Sequence, residues 1–457
     1  MLGSFSSFPS AELAYDTGGH PVDPGAEQDM LDYFGSGKGS GVTDILLISH
    51  GWQNSVVEAK TELYTPFFAS FDAVRTQQQS KRSFGVVAIY WPSKKFDVAA
   101  MTSGGASSVS DAASLLLSAQ LDHFADMFAG DPTIDAKIAH CKSLVPMLDV
   151  SISAQNDYVA ALISLVPNPR YEGDEGLDLA RTALDTQPGY VILQRLMTQP
   201  ATTVSSIFGG GGAAGLSIGG IIGGIKSAAA NLGNYLTYYT MKDRSGIVGR
   251  TGVVQTIRSL RSLRDGAPPN VHLVGHSFGG RLVTSAANAL LGNGPHEKIQ
   301  SIALLEAAYS HNGLSPDYDG HKTPGSFRHT VTSGAIAGPI VITHSVNDTA
   351  VGIAYPLASR LAGDAASALV GGPTDLYGGM GRNGAQHTPE VIADVKLADA
   401  TWQTNYATFA KQQSAGKPIP ETWIVNINGD GPTGPTSIGS HGDITKPSVA
   451  RVVYDFL

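Results

Sequence analysis

The chain has 457 residues, more than the roughly 100–200 of an ordinary domain, so either one large domain with an insertion or two domains are expected. Apolar residues make up 42% and charged residues 15% of it, which allows a large core and excludes disorder over most of its length. A net charge of −9 without any Lys/Arg cluster argues against nucleic acid as a partner.

In chain order, residues 1–19 have neither a basic start nor an apolar stretch, so a secretory signal peptide is not expected and a cytoplasmic location is read, with non-standard export left open. The first strand falls at 45–48 and runs into His50-Gly51-Trp52-Gln53; the second falls at 86–89 and ends in Tyr90-Trp91-Pro92-Ser93. Both are nearly continuous apolar runs, the pattern of a parallel sheet buried on both faces. Residues 97–235 then carry helical patterns at 112–128, 159–165 and 177–184, but no good strand, and are read as a helical, Gly-rich cap inserted into the core. Thirteen acidic residues against five basic ones between Asp97 and Pro200 give this segment most of the acidic excess. Cys141, the only cysteine, excludes an internal disulfide and fits a reducing compartment. From Met197 to Ile225 no residue is charged; the stretch is long enough to cross a bilayer but rich in glycine, and is read as a lid or lipid contact over the pocket, with a packing segment buried against the cap helices as the alternative. Gly210-x-Gly212-x-x-Gly215 has the spacing of a dinucleotide fingerprint but lacks the strand before it and the acid after it, so no such cofactor is expected. No metal site is expected either, because the 13 histidines form no paired helical motif.

Past the insertion, Val253, Val254, Ile257 and Leu260 form an apolar helical stripe with Arg258, Arg261 and Arg264 off it. A third strand at 271–274 leads into Gly275-His276-Ser277-Phe278-Gly279-Gly280, and a helical run follows. This is the G-x-S-x-G pattern in its proper setting. The glycines Gly275 and Gly279 free a tight strand-to-helix turn that lifts the Ser277 hydroxyl above the sheet edge, and the Phe278 N–H opens the helix, aimed at a developing oxyanion. The His50-Gly51-Trp52 turn lies where the second oxyanion donor belongs, with Trp52 as the donor. Three more strands are read at 302–305, 340–343 and 423–427. A nucleophilic serine needs a base, and the base an orienting acid, in the order serine, acid, histidine. Asp348 follows the strand at 340–343, and His441 sits in the loop after the strand at 423–427 with Asp443 placed to hold that loop. Glu306 is the rival acid, and His344 and His387 are the rival bases. Two Gly-rich loops, 371–388 and 428–442, flank the last strand. There is no internal repeat.

Taken together, the strand and His-Gly turn at 45–52, the Trp-Pro-Ser strand end, the 275–280 elbow and the Asp348 and His441 loops resemble the α/β-hydrolase superfamily, and within it bacterial serine esterases and lipases. The resemblance covers roughly residues 42–96 and 245–457. It implies an α/β-hydrolase fold: a mainly parallel sheet with helices on both faces, and a cap inserted before the elbow strand. The core is then 1–96 plus 236–457, and the cap 97–235. It further implies hydrolysis of a small-molecule ester or lipid through an acyl-enzyme, with no cofactor. A thioesterase, amidase or phospholipase would use the same groups. The alternatives are a membrane-acting lipase, delivered as an antibacterial effector and touching lipid through 197–225, and a non-catalytic binding protein on the same scaffold.

Overall fold

The computed structural model describes residues 1–93, 109–128, 132–166, 184–197, 224–264, 267–348, 372–376, 378–399 and 422–457. Nine strands form one sheet: β1 (Leu2–Phe5), β2 (Phe8–Ala14), β3 (Asp44–Ser49), β4 (Phe84–Tyr90), β5 (Asn270–His276), β6 (Ser301–Leu305), β7 (Pro339–His344), β8 (Val391–Lys396) and β9 (Trp423–Asn428). Their spatial order is β1-β2-β4-β3-β5-β6-β7-β9-β8. Only β1 runs antiparallel to its neighbour. All six expected strands are present, as the centres of β3, β4, β5, β6, β7 and β9.

The apolar runs are continuous because helices cover both faces. Along β3, Ile45 and Leu47 join one buried cluster and Leu46 and Ile48 the other, the two-residue alternation of a pleated strand. The first cluster is closed by the helices α1 (Pro24–Gly35), α8 (Val254–Arg261) and α9 (Phe278–Asn288), the second by α2 (Thr65–Gln77) and α10 (Pro447–Asp455). The arginines off the α8 stripe bind outward: Arg258 pairs with Glu297, and Arg264 donates to the carbonyls of Phe34 and Val42.

Between β4 and β5 every described element is helical: α3 (Val109–Met127), α4 (Ile134–Leu144), α5 (Ile152–Leu165), α6 (Gly189–Met197) and α7 (Ile225–Val248). The expected boundary at 235/236 falls inside α7, which runs unbroken through Gly233 and Asn234. This helix is buried on nearly all sides, because it lies between the other inserted helices and the core helix α9. Arg244 of α7 fastens the two parts, donating to the Pro92 carbonyl at 2.9 Å and the Met127 carbonyl at 3.0 Å. The expected helix at 177–184 and the uncharged stretch at 197–225 fall almost entirely outside the described residues. Among the described residues, no helix is long and apolar enough to cross a membrane.

Three strands had no sequence expectation. β1 and β2 extend one edge, and β8 closes the other with a half-exposed polar face. The Gly-rich loop at 371–388 also contains a helical turn, Met380–Asn383.

Candidate active site

Parallel register brings the chemistry to one edge. Ser49 is level with Gly275, His276 with Leu305, Leu305 with Thr343, and His344 with Asn428. The residues immediately beyond these ends are the His50–Trp52 turn, Ser277, Glu306, the loop to Asp348 and the loop to His441. The chain leaves β3 in one direction and β5 in the other, and such a reversal of strand order opens a crevice at the carboxyl edge of a sheet.

Ser277 sits between β5 and α9 at φ 57°, ψ −125°, a conformation that costs a non-glycine residue about 1–3 kcal/mol and persists only where its surroundings enforce it. Here they do. The Ser277 N–H donates to the Leu305 carbonyl at 3.1 Å, while its own carbonyl accepts from Gly280 and Ala308. Side chains are excluded around the turn: a Cβ on Gly279 would strike the carbonyls of Ser49 and His50, and one on Gly275 would strike the Gly279 carbonyl. Gly51 lies against the serine itself, for a Cβ there would stand 2.5 Å from Ser277 Cβ and 3.0 Å from its Oγ. The His50–Trp52 turn and the elbow are therefore in contact. The Phe278 N–H, first in α9, has no intrahelical acceptor and no other among the described residues.

The turn after β3 is pinned by His50. Its N–H donates to Tyr64 Oη at 2.8 Å, its carbonyl accepts from Trp91 Nε1 at 2.9 Å, and its ring stacks on Trp91. Burial holds the His50 imidazole down to about 4, so it is neutral and donates Nδ1–H to the Gly51 carbonyl at 2.8 Å. Trp52 is half-buried, its ring 6.0 Å from those of Phe278 and Tyr238, and Tyr238 of α7 lies 4.8 Å from Phe278. An inserted helix thus supplies one wall beside the serine. Sequence reasoning did not single out Tyr238, because three tyrosines at 235, 238 and 239 on an apolar helix read as core.

His441 Nδ1 donates to Asp348 Oδ2 at 3.0 Å, whereas the nearest Glu306 oxygen is 3.8 Å away. Asp348 is fully buried, and Gly381 leaves room for it, since a Cβ there would stand 2.8 Å from Asp348 Oδ2. The two loops are tied together: Ser345 Oγ and Asn347 Nδ2 both donate to the Ile438 carbonyl, at 2.9 and 3.1 Å. Asp443 braces the His441 loop by accepting from the Gly439 N–H at 2.8 Å and Lys446 Nζ at 2.7 Å. His276, beside the serine, donates Nε2–H to the His441 carbonyl at 2.8 Å, and burial holds its ring down to about 3. No hydrogen bond joins Ser277 Oγ to the His441 ring among the described residues, and such bonds are often long without ligand.

The rival bases have other partners. His344 ends β7 beside Asp394, and His387 bonds Asn312 through Nδ1 at 2.8 Å. Among the described residues, Glu306, Asp348 and His441 are the one group of ligand-type side chains whose atoms all lie within 4.8 Å of one another. Their shortest contact is already the imidazole N–H to carboxylate bond.

Compared with known proteins, the chain matches no family model, no curated protein and no solved structure.

Proposed function

We propose that the chain is a serine hydrolase of the α/β-hydrolase fold that cleaves carboxylic esters through an acyl-enzyme. The observation that carries this reading is Ser277 held in a strained strand-to-helix turn, at the same sheet edge as a buried Asp348 hydrogen-bonded to His441 at 3.0 Å.

Ser277 Oγ attacks the ester carbonyl while His441 Nε2 takes its proton, and Asp348 stabilises the imidazolium through Nδ1–H. The N–H groups of Phe278 and Trp52 hold the oxyanion; donors of this kind are each worth about 10²–10³ in kcat. The tetrahedral intermediate collapses, the C–O bond breaks and Nε2 returns the proton to the leaving alcohol. Water then repeats the sequence on the acyl-serine and releases the acid. The rings of Trp52 and Tyr238 favour an apolar group beside the scissile bond.

Turnover of p-nitrophenyl esters of graded acyl length tests the reading. Hydrolysis by the wild type that vanishes in Ser277→Ala is the expected result; equal turnover in both would overturn it.

A further inference from the structure

Glu306 is the group at this edge that the proposed mechanism leaves unused. It has no solvent exposure, and neither carboxyl oxygen has a hydrogen-bond partner among the described residues. It follows β6 at φ 48°, in the left-handed region, where a glutamate is strained. Its Oε2 lies 3.8 Å from His441 Nδ1, on the side of the ring that Asp348 serves. A residue kept only for volume would be an aliphatic chain, because a buried carboxyl without partners is destabilising.

We propose that Glu306 is a positioning residue of this site: a second carboxyl that, beside Asp348, limits the swing of the His441 ring and can replace Asp348 as acceptor of its Nδ1–H. The inference rests on the triad reading above. Burial first, then the neighbouring Asp348 and Asp443, hold the Glu306 proton on well above the ordinary carboxylate range, against the opposing pull of Lys446. Two adjacent buried carboxyls do not both ionise readily. In the resting site Glu306 is therefore a neutral acid beside Asp348. Neutralising Asp348 removes the strongest like charge facing Glu306, so its proton passes to solvent as pH rises. The carboxylate left behind then accepts Nδ1–H. What distinguishes Glu306 is an alkaline gain beyond that of the His441 base itself, one that disappears when Glu306 is replaced as well.

The test compares Glu306→Gln, Asp348→Asn and the double variant in the full-length protein. Each is followed by kcat/KM against pH on a p-nitrophenyl ester and by the downfield imidazole N–H signal in proton NMR. Glu306→Gln alone is expected within about threefold of the wild type at neutral pH. Asp348→Asn is expected to gain activity toward alkaline pH more steeply than the double variant and to keep the Nδ1–H signal at the alkaline end. The double variant should lose that excess gain and the signal. An equally steep gain in the double variant, an Asp348→Asn protein without the signal at any pH, or a Glu306→Gln protein as crippled as Asp348→Asn would each overturn the proposal. If the wild type cleaves no ester, the hydrolase reading fails while the NMR signal still decides this one. If Asp348→Asn does not fold, Glu306→Gln decides alone: an Nδ1–H signal broader and faster to exchange with solvent in the variant than in the wild type supports the limited swing of the ring, and an identical signal in both overturns it.

Discussion

Replacing Gly51 by alanine adds one methyl group, and the structure says where it goes. The new Cβ would stand 2.5 Å from Ser277 Cβ and 3.0 Å from Oγ, while carbon atoms settle at about 3.5–4.0 Å. Something must therefore yield by about 1 Å. The His50 turn resists, being fixed to Trp91 and to Tyr64, whose hydroxyl in turn donates to the Ile89 carbonyl. The elbow resists too, because Gly279 is pressed against the Ser49 and His50 carbonyls. The strain falls on Ser277 and the N–H groups beside it. A displacement of about 1 Å in a catalytic group costs on the order of 10²-fold, or about 2.7 kcal/mol of transition-state stabilisation. Overpacking itself costs about 1–3 kcal/mol of stability. The assay is kcat/KM on a short-chain p-nitrophenyl ester, with the fluorophosphonate labelling rate and Tm measured alongside. Gly294→Ala serves as the control, since a Cβ there meets nothing within 4 Å. A Gly51→Ala enzyme with wild-type turnover and labelling would refute the contact between the two turns as a catalytic constraint.

Other outcomes follow from the same geometry. His441→Ala should lower kcat by about 10³-fold or more while Tm changes little; a mild kinetic effect would point to another base. Tyr238→Phe removes a buried hydroxyl that has no partner among the described residues and should stabilise the protein by up to about 1 kcal/mol in thermal melts; a marked loss would mean that the hydroxyl is bonded. Tyr238→Ala, which strips the wall over Phe278 and Trp52, should raise KM for apolar acyl groups more than it lowers kcat, and unchanged chain-length preference would sink that role. Burial holds His50 down to about 4 and His276 down to about 3, whereas unfolded histidines protonate near 6.5. A histidine depressed in the fold contributes stability above its unfolded pKa that is lost as pH falls. Tm should decline between about pH 6.5 and 4, and a flat profile there would contradict the burial of these rings.

The sequence made the central sheet legible because its strands are buried on both faces and so appear as uninterrupted apolar runs. β1, β2 and β8 escaped because they are short or polar: β1 has four residues, β2 carries Pro9 and Glu12, and β8 is nowhere fully buried, with Asp394 and Lys396 exposed. The elbow was legible because glycine is forced where backbones touch. The choice between Asp348 and Glu306 was not, since both follow strands of the same edge and only distance separates them, 3.0 against 3.8 Å from Nδ1. Chain order also gave no hint that α7 crosses from the insertion to the core, because its apolar residues satisfy both neighbours without a break in composition at 235.

The most direct test of the central claim is intact-mass and peptide analysis after reaction with a fluorophosphonate. The account predicts one adduct per chain, on Ser277, and none in Ser277→Ala. An adduct on another residue, or labelling that persists in Ser277→Ala, would contradict it.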